Sequence, residues 1–136
     1  MRYLPASRVS AAAVEQGLIS DGCHIGEGTT IKRCVVGVRT QIGRNVKLRD
    51  TVLIGADRYE TASEKAENRR RGLPDLGIGD GSVIKRAIVD KDARIGANVQ
   101  IINKEEVQDG EGPNFVIREG IVVIPKNAVI LDDTVI

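Results

Sequence analysis

The chain has 136 residues, 41% of them hydrophobic, and its 2% of aromatics is Tyr3, Tyr59 and Phe115, so the core of a single domain must be built from Ile, Val, Leu and Ala. Twenty Lys and Arg against nineteen Asp and Glu leave a formal charge of +1, which excludes bulk attraction for nucleic acid or an anionic membrane. No apolar run reaches the roughly eighteen residues that span a bilayer, and no secretory stretch opens the chain, so a cytoplasmic protein without a membrane partner is expected.

In chain order, residues 1–13, with Pro5 and an Ala-rich run, read as a connector or cap, and 14–136 as one β-helix domain. Ile19, Ile25 and Ile31 are spaced by six, and so are Val36, Ile42, Leu48 and Ile54. A helix repeats its apolar face near 3.6 residues and a half-buried strand at 2, so a hexad fits short strands separated by sharp corners. Glycine follows the apolar residue at Gly26, Gly37, Gly43, Gly55, Gly79 and Gly96, where positive φ or close backbone packing is expected. Hexad repeats are the mark of the parallel β-helix, whose coils bury one aliphatic column. Cys23 and Cys34, with His24 as the lone histidine, support neither a zinc site nor a disulfide framework, so no metal ligand is assigned.

The hexad breaks after Ile54, and 56–77 reads as an excursion from the solenoid. Within it Thr61 or Ser63 is an N-cap candidate, and Gly72 with Pro74 a helix stop; Arg69, Arg70 and Arg71 would then lie near the negative pole of the helix. The column resumes at Ile78 and Ile84 and continues through Val89, Ile95 and Ile101. "IKRAIVDKDARIG" at 84–96 echoes "IKRCVVGVRTQIG" at 31–43. With the excursion counted as one face step, the copies stand two coils apart on one face, roughly 10 Å, and bring Lys32-Arg33 near Lys85-Arg86. "GIGDG" at 77–81 takes a structural reading as hexad corners. A second excursion spans 103–120, and Ile124, Ile130 and Ile136 recover the period.

Several strings in one order, "RYLPAS", "VVGVRTQIG", "IGADRYET", "IKRAIVDKDARIG", "QIINKEEVQ" and "IREGIVVIPKNAVI", resemble the carboxy-terminal domain of glucose-1-phosphate adenylyltransferase, the ADP-glucose pyrophosphorylase of glycogen and starch synthesis. The resemblance covers essentially the whole chain and implies an all-β, left-handed parallel β-helix that belongs to a tetrameric enzyme. It also implies that catalysis resides in a preceding catalytic domain of the same polypeptide. That domain carries the nucleotide-binding glycine-rich loop and the acidic residues that hold magnesium. This chain is therefore expected to be inactive alone, with no catalytic residue and no cofactor of its own, and to be cytoplasmic, or plastid if from a plant. The resemblance further implies a phosphorylated metabolite effector held by basic side chains near the domain junction: Arg2 of "RYLP", Lys91 of "DKDARIG" and Lys126 before "NAVI". Two other classes compete with this reading. A hexapeptide-repeat acyltransferase would use His24 as its general base, and a purely structural module would only assemble the oligomer.

Overall fold

The computed structural model describes residues 8, 9 and 12–136; the cap expected at 1–13 and Arg2 lie wholly or mostly outside them. Strands of two or three residues follow one another in triplets. The first two coils are β1 (Arg8–Val9), β2 (Ala13–Glu15) and β3 (Leu18–Ile19), then β4 (His24–Ile25), β5 (Thr30–Lys32) and β6 (Val35–Val36). The third is β7 (Gln41–Ile42), β8 (Lys47–Arg49) and β9 (Val52–Leu53). After α1 (Ala62–Arg71) come β10 (Gly77–Ile78), β11 (Val83–Lys85) and β12 (Ala87–Val89). The last turns are β13 (Arg94–Ile95), β14 (Gln100–Ile101), β15 (Asp109–Gly112), β16 (Phe115–Arg118), β17 (Ile121–Ile124) and β18 (Val129–Ile130).

Every third strand pairs with the one before it, giving parallel sheets β1-β4-β7-β10-β13-β18, β2-β5-β8-β11-β14 and β3-β6-β9-β12-β17. The echo at 31–43 and 84–96 falls on one face: Ile31 pairs with Leu48 and Leu48 with Ile84, so one strand lies between the copies. Most strands point one residue inward, and β12 and β17 point two. Ile25, Ile31, Val36, Ile42, Leu48, Ile84, Ile95, Ile101, Ile124 and Ile130 are all buried in one continuous column.

One expectation needs correction. The sixth-residue step from Leu48 places Ile54 in the column, but Ile54 is 41% exposed and Leu53 is 3% exposed. Leu53 pairs in register with Val36 and Val89, because the step onto the third face is five residues in each coil, 31 to 36, 48 to 53 and 84 to 89. The glycines that follow the apolar residues divide between the two uses expected of them. Gly55 has positive φ, 110°, whereas Gly26, Gly37, Gly43, Gly79 and Gly96 do not; a Cβ on Gly26 would stand 2.5 Å from the carbonyl oxygen of Gly43 in the next coil, so these five serve close stacking. Positive φ also falls on side-chain-bearing residues of the turns, among them Arg33, Asp50, Arg86, Asn45 and Asn98. Asparagine and aspartate tolerate that region, and for the arginines the stacked neighbours must impose it.

Buried hydroxyls satisfy backbone groups that the corners free. Thr29 Oγ1 donates to Gly43 O at 2.8 Å and accepts from Val46 N. Ser82 Oγ does the same two coils on, with Gly96 O at 2.8 Å and Val99 N at 3.1 Å. No buried side-chain nitrogen or oxygen among the described residues lacks a partner, as a dry interior requires.

The segment between β9 and β10 folds as α1, capped by Thr61 in a capping box with Glu64 and ended by Gly72 at φ 71°. It is tied down by a buried carboxylate. Glu60 accepts from Leu76 N at 2.6 Å, Asn68 Nδ2 at 2.8 Å and Arg94 Nη1 at 2.9 Å. Tyr59 Oη donates to Gly22 O at 2.8 Å and anchors the same segment to an earlier coil. The second interruption enters the third sheet as the antiparallel hairpin β15–β16, which pairs antiparallel with β17. Asn103 organises its start, donating to Val107 O and Gly120 O while accepting from Val107 N.

Candidate functional site

The turns that leave the third sheet stack on one another. Arg39 N donates to Asp21 O, Ala56 N to Val38 O, Asp92 N to Gly55 O and Asn127 N to Lys91 O, at 3.0 to 3.2 Å. Asp92 and Asn127 have positive φ, 57° and 61°, so the backbone bends at each level and projects the preceding lysine outward. Lys91 and Lys126 are therefore neighbours on adjacent coils, joined through the hydrogen bond from Asn127 N to the Lys91 carbonyl at 3.0 Å. This is where the structure puts two of the three basic residues singled out in the sequence; Arg2 lies outside the described residues.

Sequence reasoning missed the third member of the cluster. Asp57, the residue at which the chain leaves this stack for the excursion, places Oδ1 2.9 Å from Lys91 Nζ. Its own N–H donates to Asp92 Oδ1 at 2.9 Å. The hydrogen bond from Lys91 holds the Asp57 carboxyl below the usual carboxylate range, helped by the charges of Lys91 and Lys126 and opposed by partial burial. The same bond raises Lys91. Both side chains are about half exposed, so solvent screens the pair and the cluster stays open to a ligand. Chemically it offers two ammonium groups to an anion, with one carboxylate already on Lys91.

A separate cleft of about 790 Å³ opens between the excursion and the first sheet, and Lys91 and Lys126 do not line it. Its wall mixes Arg44, Lys65 and Arg69 with Glu27, Asp75 and Asp80, giving no excess of positive charge. His24 is exposed on β4 at the edge of this cleft. Gly77 and Gly81 of "GIGDG" have positive φ, Gly79 packs on Gly96, and Asp80 Oδ1 accepts from Arg44 N at 2.8 Å, so that stretch works as a corner of the solenoid. Among the described residues no group of His, Cys, Asp and Glu is arranged to hold a metal ion.

Residues 2–135 match the GLGC left-handed parallel beta-helix domain. The chain belongs to that family. A curated relative from Arabidopsis thaliana, named inactive glucose-1-phosphate adenylyltransferase small subunit 2, chloroplastic, is 44% identical over 142 residues. The match takes in 99% of this chain and 29% of the relative, so the chain spans less than a third of that protein's length. The short strands, stacked corners and parallel pairings of this GLGC-type β-helix are thus those of a left-handed solenoid. No helix in it is long and apolar enough to cross a membrane among the described residues.

Proposed function

We propose that this chain is the regulatory and assembly part of a glucose-1-phosphate adenylyltransferase, the enzyme that makes ADP-glucose from ATP and glucose 1-phosphate. In this reading Lys91 and Lys126, with Arg2, bind a phosphorylated metabolite effector, and the catalytic domain with its magnesium belongs to the same polypeptide. The chain by itself then has no turnover. The observation that carries the reading is the pairing of Lys91 with Lys126 across stacked turns, since a phosphate dianion needs converging cationic donors. A relative that bears the word inactive in its name and still matches the β-helix at 44% identity supports a role separable from turnover. The location that goes with it is the cytoplasm, or the plastid in a plant.

Assembly has its own support in a row of apolar side chains on the outside of the third sheet. Leu18, Val35, Val52, Ile88 and Val123 stand in register, and Leu18, Val35 and Ile88 are 72%, 42% and 37% exposed. An apolar row of exposed and half-buried side chains favours contact with another protein surface, whether the catalytic domain or a further subunit of a homo-oligomer.

The test uses the full-length enzyme with Lys91→Ala and Lys126→Ala, and Lys47→Ala as a surface control. Loss of one charge-assisted contact should raise the effector concentration for half-maximal response on the order of ten- to a hundredfold, with unstimulated turnover unchanged. Parent-like behaviour of both lysine variants would refute the site.

A further inference from the structure

Asp57 is unexplained by an anion site made of Lys91 and Lys126. Its carboxylate makes a 2.9 Å charge-assisted contact with Lys91, and it is delivered there by a fixed backbone. Asp57 N is held by Asp92 Oδ1. The preceding Ala56 is buried, its N–H bonded to Val38 O and its carbonyl held by Arg39 Nε at 2.8 Å. The carboxylate therefore occupies the ammonium group that an incoming anion would use. Two anions cannot both sit at contact distance from one ammonium without repelling each other.

We infer that Asp57 is an internal competitor at the Lys91–Lys126 corner, so that anion binding there is an exchange, and that this exchange makes the site selective for phosphate dianions over monoanions. The inference rests on the reading of Lys91 and Lys126 as an effector site. Its logic is one of charge. A carboxylate ligand that replaces the Asp57 carboxylate exchanges one single negative charge for another and gains little. A phosphate group near neutral pH carries a charge of about −1.5 to −2 and several acceptor oxygens, so it can hold Lys91 and Lys126 together while the Asp57 side chain turns out to solvent. The backbone bonds that fix Ala56 and Asp57 need not break.

The experiment titrates the folded 136-residue chain with inorganic phosphate and, separately, with acetate at about pH 8, where phosphate is a dianion, following the backbone amide resonances of Lys91 and Asn127. The parent should respond to phosphate and not to acetate. Asp57→Asn should bind phosphate about three- to tenfold more tightly and begin to respond to acetate, since it removes both an occupied contact and a repelling charge. Asp57→Ser repeats the measurement without an amide. Asp90→Asn, which removes a nearby charge that does not contact Lys91 Nζ, should give a smaller gain and no response to acetate. If the parent binds phosphate and the Asp57 variants bind it no better, or if Asp90→Asn does as much as Asp57→Asn, competition is wrong while the anion site stands. If neither the parent nor any Asp57 variant responds to phosphate, the anion site itself is wrong and the competitor falls with it.

Discussion

Arg94 Nη1 and Glu60 Oε2 lie 2.9 Å apart, with the Glu60 side chain 2% and the Arg94 side chain 20% exposed. Arg94 belongs to β13 and Glu60 to the excursion, so this contact joins the helical segment to a later coil. Glu60→Ala would leave Arg94 with only Pro74 O and Asn68 with only Asp75 Oδ1 as acceptors, and would take away the carboxylate that holds the N–H of Leu76. The expected cost is about 3 kcal/mol in urea unfolding. Glu67→Lys, which only loses an exposed contact to Arg70, should change little. Equal midpoints for the two variants would contradict the anchoring role.

The same carboxylate predicts acid sensitivity. Burial pushes Glu60 up, but the bonds from Leu76 N, Asn68 and Arg94 together outweigh it, and the carboxyl ends below its usual range. Arg33, Lys91 and Arg58 depress Asp50, Asp57 and Glu64 in the same direction. A depressed folded-state value means that the unfolded chain takes up protons first. This stabilisation is complete above the ordinary carboxylate values of about 3.9 to 4.3 and is lost as pH falls through the folded values. The urea midpoint should drop as pH is lowered through about 5 to 3, and Glu60→Gln should flatten that slope. Parallel slopes in parent and variant would rule Glu60 out as a contributor.

The third sheet provides a paired test of register. Leu53→Ala should cost about 2–5 kcal/mol, as loss of a buried leucine does, while Ile54→Ala next to it should cost under about 1 kcal/mol. Thermal unfolding of the two variants decides the matter, and the reverse order would put the solenoid's corner in the wrong place.

Ser82 is fully buried and bridges Gly96 O and Val99 N. Ser82→Ala keeps nearly the same volume but strands both groups in a dry interior, at a cost of about 1–3 kcal/mol. Ser82→Thr, which keeps a hydroxyl of the kind Thr29 supplies two coils earlier, should recover part of it. A neutral alanine variant would mean that water or backbone adjustment reaches the corner.

The solenoid was legible in the sequence because its rule is local. One inward aliphatic residue per short strand and a corner every five or six residues leave a period that no helix or continuous strand produces, and the break at 56 follows once that period lands on polar residues. Even the five-residue step onto the third face is written there, at 31 to 36 and 84 to 89; a step from Leu48 to Ile54 suggests itself only because Ile, followed by Gly55, looks like the other corners. Which corner residues take positive φ was not legible, since stacked neighbours impose it on Arg33 and Arg86 against their own preference. The two lysines could be named from their strings, but their proximity comes from coils 35 residues apart in the chain meeting at the 4.7–4.9 Å strand spacing. Asp57 against Lys91 and Glu60 beneath α1 were beyond reach for the same reason. Both lie in a segment that breaks the repeat, and where such a segment folds back is decided by which distant donors meet its carboxylates.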